Sequence, residues 1–127
     1  LSKKGLLGLL CRRTIFAAAN SFKGLKDSVK YEEAFRVEVF LSLVLIPAAI
    51  YIADDYVQLI LLILSVLLVL IVELLNTCIE IVIDRIGMEF HELSGRAKDV
   101  GSAAVALSMV VFVLIWGAIL AHNYSLL

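Results

Sequence analysis

Three carboxylates and an amide stand in a stretch otherwise fit for lipid. In LIVELLNTCIEIVIDR, residues 70–85, Glu73, Asn76, Glu80 and Asp84 interrupt a run of Leu, Ile and Val. At 100° per residue on an α-helix they fall at about 0°, −60°, −20° and +20°, one face about 80° wide. A carboxylate at membrane depth is costly unless paired or wet, and marks a functional site by default. Further charged groups flank the stripe: Glu32, Glu33 and Glu38 before it, and Glu89, His91, Glu92, Lys98 and Asp99 after it. Carboxylates can take protons as bases. They also bind magnesium, usually one or two of them together with substrate phosphates. A lysine meets a phosphate as a point charge. These residues alone leave two readings open, phosphoryl transfer and an intramembrane proton or cation path. There is no G-x-x-x-x-G-K-[ST] loop and no kinase glycine-rich loop. A nucleotide would have to be held by the charged side chains and by backbone at helix ends.

The elements that must carry these groups are helices in a bilayer. The 127-residue chain is 62% hydrophobic and 18% charged, against about 45–50% and about 25% in ordinary globular chains. The fold class is therefore an all-α membrane protein. Three spans are expected, at 37–53, 56–84 and 100–121. The first is short and contains Pro47, which a membrane helix tolerates when neighbours satisfy the freed carbonyl. Asp54 and Asp55 form a tight acidic turn. Residues 1–36 alternate basic and apolar groups and read as an amphipathic helix on the membrane surface, interrupted near Gly24. Gly101, Ser102, Ala103 and Ala104 predict close helix packing. Trp116 and Tyr124 read as interface anchors at the far end of the third span.

Charge placement orients the chain. Eight of the eleven Lys and Arg lie between Lys3 and Arg36, and the other three are Arg85, Arg96 and Lys98. By the positive-inside rule these two segments face the cytoplasm, and the Asp54-Asp55 turn and the C-terminus face the other side. Both assignments agree with three crossings of the membrane. No exposed soluble surface offers a basic stripe for nucleic acid. Cys11 and Cys78 form neither metal spacing nor a disulfide framework.

VELLNTCIEIVIDRIGMEFHELSGRAKDVGSAAVAL, residues 72–107, closely resembles the signature of the small bacterial integral-membrane diacylglycerol kinases. EEAFRVE, residues 32–38, resembles a second block of that family. The likeness covers nearly the whole chain as one kinase domain. It implies a homotrimer that uses MgATP to phosphorylate the hydroxyl of a membrane lipid, diacylglycerol, giving phosphatidate.

By position the resemblance makes Glu73 the general base and Asn76 an active-site amide, and gives Glu32 and Glu80 to magnesium. It puts Asn20, Glu32, Glu80, Glu89, Phe90, His91, Lys98 and Asp99 at the nucleotide. It puts Arg13, Ala18, Ala19, Ser21, Phe22 and Lys23 near the lipid substrate. Glu33, Ala34, Phe35, Arg36, Val37, Glu73 and Ser102 join them there. Asn20 stands where the family pattern has an aromatic, and Val37 where it has Gln. Some relatives phosphorylate undecaprenol, but the HELSGRAKD form of the central motif resembles the diacylglycerol enzymes. A small oligomeric transporter would account for the carboxylate stripe but not for Lys98, Asp99 and Glu32.

Overall fold

Four α-helices make up the computed structural model, which describes residues 2–125. They are α1 (Lys3–Tyr31), α2 (Glu33–Ile52), α3 (Tyr56–Ile86) and α4 (Glu92–Asn123). The last three are long and apolar enough to cross a membrane. The chain divides into two compact units, Leu1–Arg36 and Val37–Leu127.

In the first unit, the Ser2 hydroxyl accepts the Gly5 N–H and starts α1. Lys30 in the last turn suits the negative end of the helix dipole. The helix runs unbroken through Gly24, where an interruption was expected. A single glycine costs a helix only about 1 kcal/mol, less than breaking the hydrogen-bond ladder on both sides of it. The break comes instead at Glu32, whose backbone is extended. Its N–H still donates to the Ser28 carbonyl, and its own carbonyl accepts the Arg36 N–H of the next helix. Glu32 is thus the single residue joining two helices.

In the second unit, α3 and α4 pack antiparallel, and reciprocal pairs follow one another down the seam. Gln58 meets Asn123, Ser65 meets Trp116, Asn76 meets Gly101 and Asp84 meets Lys98. With 31 and 32 residues, these helices are about 46 and 48 Å long at 1.5 Å per residue. The hydrocarbon core is about 30 Å thick, so both helices reach well past it. The helices thus extend beyond the apolar spans expected at 56–84 and 100–121. The α4 helix begins at Glu92, eight residues before the apolar run, because ELSGRAKD is itself helix-competent. The His91 ring starts it, with Nδ1 accepting the Leu93 N–H at 3.1 Å.

The core of this unit is Ala49, Leu62, Val66, Trp116 and Ile119. Trp116 is only 7% exposed. Its Nε1–H donates to the Ser65 hydroxyl at 2.9 Å, and that hydroxyl donates to the Leu62 carbonyl at 2.7 Å. The Phe112 ring lies 5.4 Å from it, centroid to centroid. Trp116 is therefore a buried bridge between α3 and α4, not the interface anchor expected from its place near a span end. A buried indole needs an acceptor, and Ser65 supplies one that hydropathy does not reveal.

The acidic turn also has a local purpose. Asp55 caps α3 by accepting the Gln58 N–H at 2.9 Å, and Gln58 Oε1 accepts the Asp54 N–H at 3.0 Å. Gln58 and Asn123 exchange amide hydrogen bonds, and Asn123 Nδ2 also donates to the Ile52 carbonyl at 2.9 Å. One asparagine thus ties the end of α2, the start of α3 and the end of α4 together.

Candidate active site

The carboxylate stripe lies where the helix geometry puts it. Glu73, Asn76 and Glu80 are half-buried on α3, and Asp84, a turn further on, is exposed. Asn76 Nδ2 donates to Glu80 Oε1 at 3.3 Å. The opposite end of that amide, Oδ1, is buried without a hydrogen-bond donor. It stands against Gly101 of α4, where a Cβ would overlap it. Of the four small residues expected to pack closely, only Gly101 is buried; Ser102, Ala103 and Ala104 are exposed.

Glu38 reads in the sequence as a flanking charge with no role of its own. Its half-buried carboxylate lies close enough to Glu73 for the two charges to interact, and one of its oxygens is buried without a partner. Glu38 stands at an apolar cleft of about 260 Å³ formed between α2, α3 and α4. The rest of that lining includes Leu41, Leu45, Val66, Leu70, Met109 and Phe112. The signal that could have found Glu38 is its position, the one charged residue within the first expected span, 37–53.

A second cleft, of about 300 Å³, opens where α3 gives way to α4. It gathers four of the residues assigned to the nucleotide: Glu89, Phe90, His91 and Lys98. Asp84 lines it too, and the Lys98 ammonium donates to Asp84 Oδ1 at 3.0 Å. This ion pair is open to water, with side chains 45% and 49% exposed. Phe90 is 95% exposed, so its ring is available to a planar partner. Asp99 is not among the lining residues of this cleft, and it is exposed like Ser102. Asp84 as the partner of Lys98 has no signal in the sequence, since the pairing requires knowing where α4 begins.

The first unit carries the remaining assigned residues. Arg13, Ala18, Ala19, Asn20, Ser21, Phe22 and Lys23 are exposed on α1. Relative to Arg13, Asn20 and Lys23 lie at about −20° and −80°, whereas Ala18 and Phe22 lie at about 140° and 180°. A ligand that meets Arg13 and Lys23 on one helix therefore meets a different side from Ala18 and Phe22. Glu32 is half-buried at the helix junction; Glu33, Ala34 and Arg36 are exposed, and Phe35 is buried. Val37, at the start of the second unit, is exposed.

No group of three His, Cys, Asp or Glu side chains converges among the described residues. Magnesium does not ordinarily use an all-protein cage: one or two carboxylates suffice when phosphate oxygens and water complete the shell. Glu80 is a donor of that type, with one oxygen engaged by Asn76, and Glu32, in the other unit, is a carboxylate of the same kind.

Three helices long and apolar enough to cross a membrane, with a polar stripe on α3 and a charged cleft between α3 and α4, are the frame of a membrane protein. The family model described as prokaryotic diacylglycerol kinase matches residues 19–120. The chain is 51% identical over 100 residues to the protein named diacylglycerol kinase of Haemophilus influenzae, covering 79% of this chain and 85% of that one. It is 50% identical over 113 residues to the protein of the same name from Escherichia coli strain K12, covering 89% and 93%. A Pseudomonas aeruginosa protein of that name is 42% identical over 117 residues, covering 92% and 94%. The chain belongs to the prokaryotic diacylglycerol kinase family.

Proposed function

We propose that this chain transfers the γ-phosphoryl group of ATP to the free hydroxyl of diacylglycerol, giving phosphatidate, at the cytoplasmic side of a bacterial inner membrane. The observation that carries the reading is its family membership, with half the residues identical to a relative of that name over nearly the full length.

The site residues divide the work by depth. Glu73 lies seventeen residues after Tyr56, about 26 Å along α3, at the inner edge of a core about 30 Å thick. That is the depth of a lipid's glycerol hydroxyl. Glu73 accepts the hydroxyl proton as the oxygen bonds to the γ-phosphorus. The bond from that phosphorus to the bridging oxygen breaks, and ADP leaves with the electron pair. Asn76 and Glu80 lie one and two turns closer to water. Glu32 and Glu80 would hold magnesium, which when bound neutralises phosphate charge. Glu89, Phe90, His91 and Lys98 receive the nucleotide in the cleft between α3 and α4, with Asn20 and Asp99 added by the family likeness. The apolar cleft beside Glu38 suits an acyl chain.

Phosphoryl transfer asks the protein mainly to position groups and stabilise charge, and these are positioning groups. The lipid-side set on α1 and at the start of α2, with Ser102, faces two sides of its helices. A homotrimer that shares sites between chains accommodates this.

The test is an assay of ATP-dependent phosphorylation in mixed micelles with diacylglycerol and undecaprenol side by side. Diacylglycerol is expected to be the strongly preferred acceptor; preference for the polyprenol would make the chain an undecaprenol kinase. Glu73→Gln should lower turnover about 10²–10⁴-fold, the usual contribution of a general base, with unchanged elution of the assembly. Full activity in that variant removes Glu73 as the base. Flux of protons or cations into proteoliposomes without ATP consumption would favour the transporter instead.

A further inference from the structure

A Cβ on Gly101 would overlap Asn76 Oδ1 and stand 3.4 Å from Asn76 Cγ, and it would meet no other described residue within 4 Å. Gly8, Gly24, Gly87, Gly95 and Gly117 all have open space at the same position. Gly101 is thus distinguished by what it leaves room for, one end of one amide. That end accepts no hydrogen bond, so shape and not a donor holds it. The other end donates to Glu80 Oε1, which also fixes which end is nitrogen, since only the NH₂ can donate to a carboxylate.

We propose that Gly101 is a positioning residue: its bare Cα seats the Asn76 amide so that its NH₂ faces Glu80, and thereby orients the Glu80 carboxylate toward a magnesium-bound nucleotide. This rests on the assignment of Glu80 to the metal. The obstacle to a methyl group at position 101 is the tip of a flexible side chain, not backbone. Alanine also favours a helix interior over glycine. Gly101→Ala therefore leaves α3 and α4 packed and turns the amide away. The effect falls on function and not on the fold, the reverse of an ordinary packing glycine.

The test uses the full chain in detergent micelles. Gly101→Ala should keep or raise the thermal midpoint while weakening MgATP affinity at least tenfold in equilibrium dialysis, the scale seen when groups that orient metal ligands are removed. Asn76→Ala should weaken binding in the parent but add less than twofold in the Gly101→Ala background. Equal loss in both backgrounds overturns the proposal, as does parental affinity in Gly101→Ala. The Asn76 side-chain ¹⁵N resonance, assigned by its loss in Asn76→Ala, should move in Gly101→Ala and in Glu80→Gln. If it moves while Glu80→Gln binds MgATP normally, the positioning contact is upheld and the metal assignment of Glu80 falls. If it stays in place in Gly101→Ala, the positioning itself is refuted.

Discussion

Lys98 does not lie free in the cleft; Asp84 holds its ammonium at 3.0 Å. Any phosphate that meets Lys98 competes with that carboxylate. An ion pair as exposed as this one contributes about 0–1 kcal/mol to stability, so it is easily exchanged. Asp84→Asn should leave the thermal midpoint nearly unchanged and lower the KM for ATP severalfold, because the cleft gains positive charge and Lys98 loses its competitor. Lys98→Ala should raise that KM. Steady-state kinetics over a range of ATP concentrations reads both, and an unchanged KM in Asp84→Asn would show that Asp84 does not compete. The angular coincidence of Glu73, Asn76, Glu80 and Asp84 is legible in the sequence alone, because helical geometry fixes it within one element. Their partners are not. Gly101 and Lys98 reach Asn76 and Asp84 only through the register between two helices, and single-helix periodicity carries no information about that.

At the scale of elements, the seam between α3 and α4 mixes apolar packing with a few polar joints. Ser65 is the most consequential of them in the core, accepting the Trp116 N–H while its own hydrogen goes to Leu62. Ser65→Ala would leave a buried indole donor without an acceptor. A cost of about 1 kcal/mol is expected, since such bonds between membrane helices contribute about 0.6–2 kcal/mol. Unfolding of the variant in mixed micelles measures it, and Ser65→Thr, which keeps the hydroxyl, should recover part of the loss. The three apolar helices are legible as runs of about the length a bilayer needs. Their ends are not, because a helix continues into water as long as caps and propensity allow. His91 and Asp55, which set where α4 and α3 start, are signals of capping and not of hydropathy. Trp116 misleads for a related reason: on a helix apolar all round, composition does not separate the side facing lipid from the side facing a neighbour.

For the whole molecule, the charge distribution makes a claim about sidedness that labelling can check. Asp54→Cys, in a chain with Cys11→Ser and Cys78→Ser, should react with a membrane-impermeant maleimide in intact cells. Cys11 in the parent should react only once the inner membrane is opened. The opposite pattern would invert the orientation. The three-helix unit also has two unlike ends. Around Asn123, hydrogen bonds join α2, α3 and α4, and the Ala49, Leu62 and Trp116 cluster packs nearby. Around Lys98, one water-exposed ion pair closes the seam. Opening free energies within a protein follow such differences in buried contact. The unit is therefore built like tongs, with its rivet on the side away from the chemistry. The jaws carry Asp84 and Lys98, and amide hydrogen exchange is expected to be faster there than around the rivet.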